Sequence, residues 1–162
     1  MRTESSHQRA AELPYDLAHL LSHAERRLVR RLAELLAVEG CTVEQWRVLS
    51  AVADGGGHPM TEIAEYALLP APSLTKLVDR MVADNLVYRG PDPEDRRRVL
   101  LYPAARGRAL HRRAAQRIAA DQSALRAALP ADPADLARAL ADLSEALNSS
   151  FDATTSPGGQ GG

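Results

Sequence analysis

SLTKLVDRMVADNLVYRGPDPEDRRRVLLYPAARG, residues 73–107, changes its apolar period partway along. In its first third Leu74, Leu77, Val78 and Met81 recur at helical spacing, so SLTKLVDRMVAD reads as an amphipathic helix. Pro72 is expected to open that helix, because a first-turn residue has no intrahelical acceptor for its N–H. Beyond the helix, LVYR (86–89) and RVLLY (98–102) are β-compatible runs, and the charged, turn-rich GPDPEDRR between them predicts a hairpin. Upstream, Thr61, Ile63, Ala64, Tyr66 and Ala67 form a short amphipathic helix, separated from the next by the turn at Pro70, Ala71 and Pro72. Two helices, a tight turn and a following hairpin make a winged helix-turn-helix.

Outward from this segment the period is helical again. From Pro14 to about residue 38, leucines at 17, 20, 21, 28, 32, 35 and 36 predict a first helix ended by Gly40. Thr42 and Gln45 have the spacing of a capping box, opening a second helix whose apolar face is Val43, Trp46, Val48, Leu49 and Val52, and which Asp54 and Gly55 to Gly57 stop. Two further helices are expected over about 104–149, the first with Leu110, Ala114, Ile118, Leu125 and Leu129 aligned, the second from Pro133. In the second, Leu136, Leu140, Leu143 and Leu147 recur as a narrow seam. A lone chain would leave that seam wet, so a homodimer is expected, with Leu13, Tyr15 and Leu17 of the first helix joining it at the interface. The fold class is therefore mainly α with a two-stranded β wing. One domain over 12–150 is expected, with the winged helix-turn-helix at about 42–103 and dimerisation helices at about 14–38 and 104–149. Residues 1–11 and 151–162 lack apolar periodicity and read as disordered tails.

Composition removes several classes of function. A chain of 162 residues can bury a core unaided, and 45% hydrophobic residues without an 18-residue apolar run exclude a membrane span and a signal peptide. The only cysteine, Cys41, excludes an internal disulfide framework and fits a reducing, cytoplasmic setting. The glycines at 55–57 are followed by no Lys-Ser or Lys-Thr, and no nucleophile elbow is present, so no enzyme is expected. No cofactor or metal is expected either. His19 and His23 lie one helical turn apart, but no further ligand is placed beside them.

The net charge of −1 argues against a nucleic-acid partner until it is divided along the chain. Residues 1–72 carry −3, residues 73–113 carry +5 and residues 114–162 carry −3. Positive charge is thus concentrated in the helix-turn-helix, the hairpin and the start of the next helix, the footprint of a phosphate-binding surface.

The order of elements and the segment DPEDRRRVLLYPAARG resemble the multiple antibiotic resistance regulator (MarR) family of bacterial transcription factors. Thr61 to Leu68 is similar to that family's first helix-turn-helix helix and Ser73 to Met81 to its recognition helix. Asp92, Asp95, Arg97 and Gly107 match its pattern of two aspartates, a basic wing tip, a strand and a glycine opening the next helix. Two positions depart from it. Pro103 replaces a threonine after the strand and can itself open a helix, while Asn85 replaces a glycine and tolerates the left-handed conformation needed there. The resemblance implies a triangular dimer with interlocked terminal helices, whose two lobes sit astride a pseudo-palindromic double-stranded operator. It also implies a cavity for a small-molecule effector, which His19, His23 and Trp46 could line.

Each candidate side chain has a chemical reason and a plainer alternative. Pro72, Ser73, Thr75, Lys76 and Arg80 supply short hydrogen-bonding groups and cations to a helix entering the major groove. Ser73 could instead be an N-terminal cap, and Arg80 could pair with neighbouring acids. In the wing, Arg96, Arg97 and Arg98 alternate sides if extended; the resemblance favours Arg97, held by Asp95 for presentation to the minor groove, with Arg96 beside it. Trp46 reads equally as core, and Cys41 as a buried, inert thiol. A winged helix can also serve as a protein-interaction module that binds no DNA. The central excess of positive charge favours DNA.

Overall fold

The computed structural model describes residues 16–128 and 132–155. The chain divides into two compact units, Met1–Ile118 and Ala119–Gly162. In the first, α1 (Leu17–Ala37) starts at Asp16, whose carboxylate accepts the N–H groups of Ala18 and His19 at 3.0 and 3.3 Å. Gly40, at φ +67°, follows its end. The expected capping box opens α2 (Val43–Ala51): Gln45 N–H donates to Thr42 Oγ1 at 3.2 Å, and Thr42 N–H to Gln45 Oε1 at 3.0 Å. Then come α3 (Met60–Ala67) and α4 (Ala71–Ala83), joined by a turn in which Leu68 is left-handed at φ 56°. Asn85 is also left-handed, as expected of the residue that closes α4.

Strands β1 (Val87–Pro91) and β2 (Val99–Pro103) pair antiparallel, from Val87 opposite Pro103 to Pro91 opposite Val99. Both lie slightly further along than the sequence suggests. Leu86 closes the helix instead, donating to the Met81 carbonyl at 2.8 Å and accepting the Ala104 N–H at 3.0 Å, while Arg98 is taken up by a turn. Pro103 ends β2 rather than opening a helix; α5 (Ala105–Ala128) begins two residues later. Gly107 is buried, and only glycine fits there, because any Cβ would collide with the Leu86 carbonyl oxygen. The hairpin is thereby locked to α5.

The core of this unit has a simple origin. Leu36, Val48, Val52, Ile63, Val78 and Met81 are fully buried, each from the apolar face its helix period assigns, and Leu110, Ala114 and Ile118 of α5 close the cluster. Burying each aliphatic side chain contributes about 1.5 to 3 kcal/mol.

The last helix, α6 (Pro133–Thr155), runs past residue 149, so residues 151–155, expected in a tail, are helical. No breaker precedes Pro157 in the sequence. Residues 1–11 and 156–162 lie outside the described residues, as do Leu13 and Tyr15. Within α6, Leu136, Leu140 and Leu147 are exposed and Leu143 is half-buried. Leu17, on α1, is exposed as well.

Candidate nucleic-acid interface

The candidate surface is built on α4 and the wing. The first turn of α4 contains Pro72, and Pro70 precedes the helix without any side-chain cap. Ser73 is therefore no cap, and its hydroxyl is exposed. Thr75 donates its hydroxyl to the Ala71 carbonyl at 3.0 Å, which leaves its oxygen as an acceptor. Lys76 and Arg80 are exposed, and no ion pair holds either among the described residues. The acid beside Arg80 is engaged elsewhere: Asp79 receives Arg89 of β1 at 2.7 Å. A cleft of about 330 Å³ separates α4 from the start of α2, with Ser73, Leu77 and Arg80 on one wall and Thr42 and Gln45 on the other.

At the wing tip the three arginines are not extended, so the alternation that an extended run would give does not apply. Arg98 N–H donates to the Asp95 carbonyl at 2.9 Å, making Arg96 and Arg97 the central pair of a tight turn with both side chains exposed. Asp95 does not hold the Arg97 guanidinium. Its carboxylate accepts the Arg97 backbone N–H at 3.0 Å, because an aspartate in a turn reaches the amide two residues on more readily than a long side chain. Asp92, buried at the base of the loop, likewise accepts the Glu94 N–H at 2.9 Å, and Arg98 stands 3.7 Å from it. The aspartates shape the backbone, and the turn presents the arginines.

One anchoring element had no sequence signal. His58 exchanges both backbone hydrogen bonds with Leu101 of β2, N–H to carbonyl at 3.1 Å and the reverse at 2.9 Å, adding a one-residue third strand to the wing. Gly57 beside it, at φ +76°, leaves room for the Tyr102 ring, which a Cβ would strike. The Arg89–Asp79 pair was equally invisible. A pairing between side chains ten or more residues apart leaves no mark in local periodicity.

The other candidate residues fall elsewhere. His19 and His23 are exposed on α1 with stacked rings 6.4 Å apart, while Trp46 is half-buried and stacks on His111 at 4.7 Å. The structure does not gather these three around one of the described clefts. Burial lowers the pKa of His111, whose Nε2 lies 3.4 Å from Ser50 Oγ. Burial pushes the Cys41 thiol up to about 11. Among the described residues no three His, Cys, Asp or Glu side chains gather to hold a metal ion, and no helix is long and apolar enough to cross a membrane.

A solvent-facing helix with two exposed cations, joined by an ion pair to a hairpin that projects two arginines, is the architecture of a winged helix-turn-helix transcriptional regulator. The MarR family model matches residues 39–98 of the chain. The HTH-type transcriptional regulator FarR of Neisseria gonorrhoeae is 28% identical over 133 residues, covering 80% of this chain and 91% of FarR. Among solved structures, the transcriptional repressor CouR bound to a 23-mer DNA duplex superposes with a TM-score of 0.68 at 26% identity, over 86% of this chain and 94% of that one. NadR in complex with 4-hydroxyphenylacetate gives 0.68 at 25% identity, over 83% and 93%. The relatives are transcriptional regulators, not enzymes.

Proposed function

We propose that the protein is a ligand-responsive repressor acting as a homodimer on a pseudo-palindromic operator. The observation that carries this reading is the pairing of free cations on two linked elements. Lys76 and Arg80 on α4 and Arg96 and Arg97 on the wing are exposed and hold no acid among the described residues, although Asp79 and Asp95 are their chain neighbours. Ser73, Thr75 and Lys76, after Pro72, enter the major groove; Arg96 and Arg97 meet the adjacent minor groove, with Asp95 shaping their turn. Repression follows the likeness to CouR, and response to a small molecule the likeness to NadR. His19, His23 and Trp46 remain the residues assigned to the effector. The exposed seam of Leu136, Leu140 and Leu147, with Leu143, supports the dimer, to which Leu13, Tyr15 and Leu17 are also assigned.

The test is a gel shift against DNA flanking the protein's own gene at several salt concentrations. Specific binding should weaken as salt rises, because each neutralised phosphate releases counterions. A protein-interaction module would retard no duplex at any salt.

A further inference from the structure

His58 stands where three parts of the first unit meet: the connection after α2, the first turn of α3, and β2. Its backbone is spent on Leu101 of the wing. Its ring faces two carboxylates. Nε2 lies 2.9 and 3.0 Å from the Asp54 oxygens, and Nδ1 lies 3.3 Å from Glu62 Oε2. A carboxylate only accepts, whereas a neutral imidazole has one N–H and one lone pair. Neutral His58 therefore serves one acid and turns a lone pair toward the other. Only the imidazolium donates to both.

We propose that protonated His58 is a positioning residue for the wing, a charged clamp tying Asp54 and Glu62 to β2, so that operator affinity falls when the ring loses its proton. The effect on affinity rests on the DNA-binding reading above. Asp54 and Glu62 are the charged groups facing the ring; the adjoining cleft of about 200 Å³ adds Ser50, Ala51, Ile63 and Tyr66, and β2 contributes the Leu101 backbone, with the Tyr102 ring over neighbouring Gly57. The Asp54 hydrogen bond raises the pKa of His58 above its ordinary value, partial burial opposes this, and the Glu62 hydrogen bond adds to the rise. Asp54 is correspondingly lowered by the same bond. A histidine raised in the folded state contributes its stabilisation at acid pH and loses it as pH rises through the raised value. The clamp is closed in acid solution and opens as pH rises through the raised value.

Two measurements on the full-length protein test this. In NMR spectra of the DNA-free protein, the Leu101 amide should titrate together with the His58 ring, and in His58→Gln that titration should vanish. In parallel, wild-type affinity for the operator duplex should fall about fivefold between about pH 6 and pH 8.5, and that of His58→Gln by less than about twofold. A Leu101 amide that ignores the ring overturns the clamp. Parallel affinity profiles in the two proteins overturn its role in DNA binding. Failure of the wild type to bind the duplex at any pH, with the Leu101 titration intact, overturns the repressor reading and the affinity effect while leaving the clamp supported.

Discussion

Arg89 of β1 donates from Nη2 to Asp79 Oδ1 of α4 at 2.7 Å, joining the wing to the helix proposed to read the major groove. Both side chains are partly exposed, at 39% and 59%, so the pair itself contributes no more than about 1 kcal/mol to stability. Its larger consequence concerns DNA. Arg89→Ala should leave the melting temperature within a few degrees of wild type, yet weaken operator binding about tenfold, because an unpaired Asp79 then faces phosphate and the wing loses its brace. Adding Asp79→Ala should recover part of the loss. A double-mutant cycle with additive effects would show that the pair does not act as a unit.

The wing tip and the recognition helix should answer differently to truncation. Arg97→Ala removes charge from the turn proposed to meet the minor groove, so affinity should fall on operator and scrambled duplexes alike, and the salt slope should shrink by about 0.9. Lys76→Ala should relax sequence preference, since the only lysine of the chain stands on the exposed face of α4. Titration of both variants at several salt concentrations separates the two roles. An unchanged slope for Arg97→Ala removes the wing from the interface.

Leu140 is 42% exposed, within the stripe proposed as the dimer interface. Leu140→Asp places a charge there and forfeits about 1.5 to 3 kcal/mol per leucine buried. Sedimentation should find monomer or unfolded protein. An intact dimer would move the interface elsewhere.

Cys41 is 5% exposed, its thiol is pushed up to about 11, and its Sγ–H donates to the Thr42 carbonyl at 3.4 Å. Near pH 7 only about one thiol in ten thousand is then ionised, and the thiolate is the species that peroxide attacks. DNA binding should survive peroxide equally in wild type and Cys41→Ser. Release from the wild type alone would make Cys41 a sensor.

Gly107→Ala should destabilise by about 2 to 4 kcal/mol, because its Cβ meets the Leu86 backbone, which cannot swing aside as a flexible side chain would. Thermal unfolding followed by circular dichroism reads this directly. A variant as stable as wild type would mean that the hairpin is not locked to α5 there.

What could be read along the chain is what short-range physics writes. The capping box at Thr42 and Gln45, the left-handed Asn85, the apolar faces of α2 to α5 and the change to extended structure after α4 each depend on residues within a few positions of one another. The positive segment 73–113 was legible for the same reason, since charge is counted along the chain. The wing tip was read only in outline: the turn-rich segment 90–97 was legible, but not that Asp95 builds the turn by taking the Arg97 amide. Tertiary structure alone decided that His58 joins the wing through Leu101, that Arg89 occupies Asp79 and so leaves Arg80 free of it, and that Trp46 lies against His111. In these contacts the partners are 10 to 65 positions apart, and a side chain brought together with its partner only by packing carries no periodic signal that a linear reading can detect.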